Sequence, residues 1–198
     1  MAGNYDSLYA QSREHFLSFD QEEMIRYYHL DHDENAIYFH ILGRPAVLDR
    51  RSGVITVDGE RAGFGVACTA YDILSRAEKK PVLSGRWVSI VDLGGNTAAM
   101  HTAKLTGGLE ALNGRRDELR ALCRSWGGVE RPQGDVSFVV PLFDFFPVWI
   151  QFWESDDEFP AQLNCLWDAN TLDFMYYETT WYARGYLTAR LKGEKDER

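Results

Sequence analysis

Apolar residues recur along the chain with two different periods, and the switches between them divide it into helices and strands. Tyr5, Leu8, Tyr9, Phe16 and Phe19 fall at helical spacing and predict an amphipathic helix over residues 4–17. Asp20 followed by Glu23 has the form of a capping box, so a short second helix is expected through Met24, Ile25 and Tyr28. The polar run His29-Leu30-Asp31-His32-Asp33-Glu34-Asn35 reads as a loop. The period then drops to two. Residues 36–42 predict a strand broken at Gly43 and Pro45, while residues 47–50 and 54–57 flank the turn signal Arg51-Ser52-Gly53. Residues 36–58 are therefore expected to form a three-stranded antiparallel meander.

Residues 63–77 return to helical spacing, with Ala67, Ala70, Tyr71 and Leu74 on one face. Residues 86–91 predict a strand closed by Gly94-Gly95. From 96 to 126 the pattern is helical, interrupted at Gly107-Gly108 and stopped by Gly127-Gly128. Three strands follow at about 136–142, 148–154 and 161–167. Alternation puts Val148, Ile150 and Phe152 on one face and Trp149, Gln151 and Trp153 on the other. Both faces are largely apolar, which predicts a central hairpin covered on both sides, with residues 155–160 as its loop. Residues 169–177 fit neither period. A last helix carries Ala183, Tyr186, Leu187 and Leu191, and 192–198 reads as a charged, flexible tail. The fold class expected is α+β: a largely antiparallel sheet, N-terminal meander plus central aromatic hairpin, covered by helices. Residues 1–191 read as a single domain with 1–35 as an N-terminal helical appendage.

Charge changes the picture in one place. The 52 residues 132–183 hold nine acids, no Lys, Arg or His, and 14 of the chain's 27 aromatics. Elsewhere 21 acids meet 21 bases, so the net charge of −9 comes from this segment. Such a balance repels phosphate backbones, and no basic stripe overrides it, so nucleic acid is not an expected partner. No apolar run is long enough to span a bilayer and no signal peptide is visible at the start. A cytoplasmic location is the expectation.

The candidate chemistry lies mainly in the same segment. Glu154, Asp156, Asp157 and Glu158 crowd within five residues, and Asp168 is expected to end the partner strand nearby. Carboxylates so placed suit a hard cation such as Ca²⁺ or Mg²⁺, or a general acid raised by like charge; the reading preferred for them is a solvated turn that keeps an aromatic hairpin from aggregating. Trp87, Trp153 and Trp167 are candidate walls for a ligand. His29 and His32, with a third ligand from His15 or His101, are candidates for Zn²⁺ or Ni²⁺. Gly63-Phe64-Gly65-Val66-Ala67-Cys68 has the outline of a dinucleotide fingerprint, but antiparallel strands on either side leave no room for βαβ units. Cys68, Cys123 and Cys165 are dispersed among apolar neighbours, so no iron–sulfur cluster is expected. No phosphate-cradling loop or nucleophile elbow occurs.

Several segments, in order, carry a resemblance. They are Tyr71-Asp72-Ile73-Leu74, Leu83-Ser84-Gly85-Arg86-Trp87-Val88-Ser89, Leu93-Gly94-Gly95 and Gly127-Gly128. Asp156-Asp157-Glu158-Phe159-Pro160-Ala161, Leu166-Trp167-Asp168-Ala169-Asn170 and Glu178 follow. Over residues 36–191 the chain resembles an uncharacterised bacterial and archaeal domain-of-unknown-function family. Its members occur alone or fused to ferredoxin-like modules, sometimes under an iron–sulfur label. The resemblance implies a stand-alone member working beside redox or corrinoid proteins of anaerobic metabolism. Two functions follow as expectations: a non-catalytic accessory domain that binds a protein partner or small molecule, or an enzyme using Asp157 and Glu158 on a small molecule.

Overall fold

The computed structural model describes residues 4–76, 80–94 and 108–194. In these segments ten strands form one sheet in which every pairing is antiparallel: β1 (Asp31–His32), β2 (Ala36–Ile41), β3 (Arg44–Asp49), β4 (Ile55–Val57), β5 (Glu60–Arg61), β6 (Trp87–Ser89), β7 (Val129–Glu130), β8 (Val136–Phe143), β9 (Phe146–Trp153) and β10 (Gln162–Asp168). The order β5-β4-β3-β2-β8-β9-β10-β6 joins two meanders edge to edge, with β1 paired to β2 and β7 to β8. The α+β class expected from the sequence is what the chain adopts. The helices are α1 (Asn4–Ser18), α2 (Gln21–Tyr28), α3 (Phe64–Ser75), α4 (Ile90–Gly94), α5 (Arg116–Ser125), α6 (Thr171–Phe174) and α7 (Tyr177–Lys192), with a 3-10 turn at Leu109–Leu112.

The two halves of the sheet meet at a narrow seam. Ile41 faces Phe143, and the Leu42 N–H donates to the Leu142 carbonyl at 3.1 Å. Leu42 and Gly43 make the β2–β3 turn, both with positive φ (49° and 71°), the conformation a tight two-residue hairpin requires. A Cβ on Gly43 would also sit 3.0 Å from the Trp126 Cα, so glycine is needed for space as well as for φ.

One face of the sheet holds the core. Val136, Phe138 and Val140 face Phe152, Ile150 and Val148 in register, and Leu163 and Cys165 continue the rows; all are buried. Each such side chain contributes about 1.5–3 kcal/mol by leaving water. The other face carries Val139, Trp149 and Leu166 in one row and Ser137, Gln151 and Asn164 in the next. Here Val139, Trp149 and Leu166 are half-buried and Asn164 is exposed, so the cover expected on both sides is complete on one only. An aromatic face does not by itself recruit a helix.

Phe16 and Met24 lie in the same core cluster, with the Phe16 ring 5.7 Å from that of Tyr71. Ile25, Tyr28 and Leu30 are buried in that cluster with them. Some boundaries shift. Residues 90 and 91, expected in a strand, belong to α4. The polar run after Tyr28 contains β1, and the undecided stretch 169–177 contains α6. The helical reading of 96–107 and the tail 195–198 lie outside the described residues.

Candidate functional site

The acidic turn after β9 is built by its own backbone. Asp156 Oδ1 accepts the N–H groups of Glu158 (2.9 Å) and Phe159 (2.7 Å), and the Asp156 N–H reaches the Phe159 carbonyl at 2.9 Å. These amide bonds hold the Asp156 carboxyl below the ordinary carboxylate range. The arrangement is an Asx turn, which explains an aspartate there without a ligand. The Asp157 and Glu158 side chains are exposed and line no described cavity.

Glu154, at the root of the turn, does different work. It accepts the Gly114 N–H at 2.7 Å and pairs with Arg116, whose guanidinium also reaches Asp135 at 3.0 Å. Asp135 in turn accepts the Glu154 N–H at 2.9 Å. Two bonds between Asn113 and Ser155 complete the joint. The acids therefore sort into a docking pair and a solvated tip. We expect Glu154→Ala to lower the urea midpoint and the Asp157→Asn/Glu158→Gln double variant to leave it unchanged, which equilibrium unfolding curves measure.

Asp168 is far from this turn. β10 begins beside it at Gln162, opposite Trp153, and runs away to Asp168, opposite Trp87. Six residues of strand span about 20 Å. The expected neighbourhood of Asp168 and the acidic turn is thus corrected: in an antiparallel hairpin the first residue of the returning strand sits at the loop, not the last. Asp168 is 2% exposed and serves a knot of its own. Oδ1 accepts the Ser84 N–H (2.9 Å), the Ser84 hydroxyl (3.0 Å) and the Asn170 N–H (2.8 Å), and Oδ2 accepts the Gly85 N–H (2.8 Å). Burial alone would raise its pKa, yet these four bonds together hold it below the ordinary value.

The three tryptophans do not converge either. Trp87 and Trp153 belong to opposite ends of the hairpin, while Trp167 alternates onto the core face and is 1% exposed. The Trp87 ring meets Trp149 edge-on at 5.9 Å instead. Cys68, Cys123 and Cys165 are buried free thiols, with burial pushing Cys123 up to about 12 and Cys165 up to about 11. Among the described residues no three His, Cys, Asp or Glu side chains come together to hold a metal ion. His101 lies outside them. The His32 ring turns back to the Leu30 carbonyl at 3.2 Å, and His29 Nε2 lies 3.0 Å from Lys80 Nζ.

His29 nevertheless borders a cavity. It ends α2 in the left-handed region (φ 54°), which swings the chain into β1. Between that corner, the outward side chains Tyr38 and His40 of β2, and Asp144 in the β8–β9 turn lies a pocket of 390 Å³. His40 gives its backbone N–H to Asp144 Oδ2 at 2.7 Å, and its Nδ1 lies 3.2 Å from the same oxygen. The Tyr38 hydroxyl donates to Asp33 at 2.7 Å, and Asp33, bonded by Tyr38 and by the amides of Asn35 and Ala36, is held below the usual carboxylate range. Tyr28, stacked on Phe145 at 4.1 Å with its hydroxyl on the Ile73 carbonyl, forms a fixed wall. Sequence reasoning stopped at His29 and His32 and missed His40 and Asp144. The two are 104 residues apart and meet only because the two meanders join at Ile41 and Phe143.

The described residues form an α+β fold with a single open antiparallel sheet and a cavity of mixed polar and apolar lining beside its seam. Residues 20–190 match a family described as a domain of unknown function (DUF3786), and the chain belongs to that family. No curated protein and no solved structure matches it. The segments that carried the resemblance have architectural work here. Leu83-Ser84-Gly85 and Asp168-Ala169-Asn170 close the Asp168 knot, which the Ala169 N–H extends to the Arg86 carbonyl and the Asn170 amide to the Val82 carbonyl. Asp72 accepts the Tyr176 N–H at the start of α7 at 2.7 Å, and Gly127-Gly128 close α5. No helix of the described residues is long and apolar enough to cross a membrane.

Proposed function

We propose that this chain is a non-catalytic accessory domain that binds an ammonium group, from a small amine or a lysine side chain, in the pocket beside His40 and Asp144. The observation behind this reading is the lining. It offers the carboxylates of Asp31 and Asp144 and the ring of Tyr38, with no lysine or arginine. The Asp31 side chain is exposed and makes no hydrogen bond or ion pair with the described residues, so its charge is available to a ligand. An aromatic face beside two carboxylates attracts a cation by ion pairing and by the ring quadrupole together. The resemblance adds the setting we propose for it, alongside redox or corrinoid proteins.

Titration of the protein with putrescine, choline and a lysine-rich peptide, followed by NMR shifts of the Tyr38 and His40 amides, tests the reading. We expect saturable shifts for at least one of them, and Asp31→Asn and Asp144→Asn each to weaken binding about tenfold, the loss of one charge-assisted contact. Binding that survives the double variant, or shifts from none of the three probes, overturns it. A catalytic reading built on Asp157 and Glu158, with or without a divalent cation, has less behind it, because those side chains are exposed and border no described cavity.

A further inference from the structure

Arg184 is the first base after the base-free segment 132–183, and it is 6% exposed. It projects from α7 onto the core face of β10. There one guanidinium nitrogen donates to the Leu163 carbonyl at 3.3 Å, and the Cys165 thiol lies alongside. The guanidinium carbon stands 5.9 Å from the centre of the Trp181 ring. Its Nε–H has no acceptor, and no carboxylate of the described residues pairs with it. Acids of the base-free segment are engaged elsewhere: Asp135 and Glu154 with Arg116, Asp144 with His40, Asp168 with the Ser84 loop. Cys165 is no counter-ion, since burial keeps its thiol protonated at neutral pH.

Two more buried donors without partners lie on the two elements that Arg184 links, α7 and β10. The Tyr177 ring meets that of Trp181 edge-on at 6.1 Å, and its hydroxyl is buried without a partner. Trp167, two residues beyond Cys165 on the same strand face, has a buried Nε1–H that is likewise unmatched. All three orphaned atoms carry hydrogens. A buried cation without an anion is costly, and buried donors without acceptors add to the cost. A ligand that brings negative charge and acceptor oxygens answers both demands, whereas a neutral or cationic one answers neither.

We infer that Arg184 anchors a second ligand site, on the core side of β10, that takes an oxyanion, the carboxylate or phosphate of a small molecule, with Tyr177 and Trp167 as the flanking donors. This site is separate from the ammonium pocket at the seam and does not depend on it.

Thermal unfolding of the full chain in chloride, phosphate and succinate at one ionic strength tests the assignment. An oxyanion at a hundredfold excess over its Kd raises Tm by on the order of 5 °C over chloride, and which of the two anions does so tells phosphate from carboxylate. In chloride, Arg184→Met melts at or above the wild-type temperature, because the uncompensated charge is gone, and it loses the oxyanion increment. Arg184→Lys and Tyr177→Phe, which keep the charge and the ring respectively, lose part of the increment; Arg184→Lys serves if the Met variant does not fold. No increment in either anion overturns the inference, and so does an increment that persists undiminished in the Arg184 variants, which marks an ion bound elsewhere.

Discussion

Asp168→Ala is expected to destabilise the fold by about 3 kcal/mol, since three backbone N–H groups and one hydroxyl that now share a carboxylate lose their charged acceptor. The damage spreads because the knot ties the 84–86 loop, which leads into β6, to the end of β10. Asp168→Asn keeps the shape and one acceptor oxygen, so its loss is smaller, about 2 kcal/mol. The pH dependence separates the charge from the shape. The Asp168 carboxyl is held below its ordinary value in the folded chain, against about 3.9 when unfolded. Its contribution is therefore complete above pH 4 and is lost as the pH falls through the folded value. Urea melts at pH 7 and at steps below pH 4 should show the gap between wild type and Asp168→Asn closing on the acid side. A gap that stays constant with pH would show that the carboxylate's charge is irrelevant.

Trp167→Ala is expected to cost about 3–5 kcal/mol, the usual penalty for emptying a large aromatic site in a close-packed core. Its ring lies 6.4 Å from that of Phe146, which in turn meets Phe174 at 5.0 Å, so the cavity would open where β9, β10 and α6 join. Trp87→Ala, by contrast, removes a half-buried ring from the other face and should cost about 1 kcal/mol. The comparison, made by chemical denaturation with an unchanged m-value as the check on two-state behaviour, separates two residues that the sequence put in one group. Equal losses would place Trp87 in a packed site as well.

The reason for that grouping is instructive. Aromatic residues in a strand signal burial, and alternation assigns each to one of two faces, but neither says which face the helices cover. Trp167 and Trp87 sit on opposite faces of adjacent strands, a relation carried entirely by the pairing of Trp167 with Val88 and of Asp168 with Trp87. Crowding of charges along the chain looks like crowding in space, yet Asp156 spends its carboxylate on its own turn and Glu154 on a segment 40 residues earlier. One turn was legible and went unread: Asp58-Gly59, both at positive φ, joins β4 to β5 as a two-residue hairpin.

Periodicity and turn chemistry were enough to establish the α+β class, the antiparallel meander, the three long strands of the second half and the loop between the last two. Those features follow from local rules: a period of two or 3.6, a capping aspartate, a glycine where φ must be positive. The register that carries Asp168 away from the acidic turn, the seam at Ile41 and Phe143 that brings His40 to Asp144, and the burial of Arg184 without a carboxylate were decided only by the tertiary structure. Each depends on contacts between residues far apart in the chain, and nothing in a local pattern encodes which pairs of elements will meet. The base-free aromatic segment keeps its place as the scaffold of the second half, while the cavity lies at its edge.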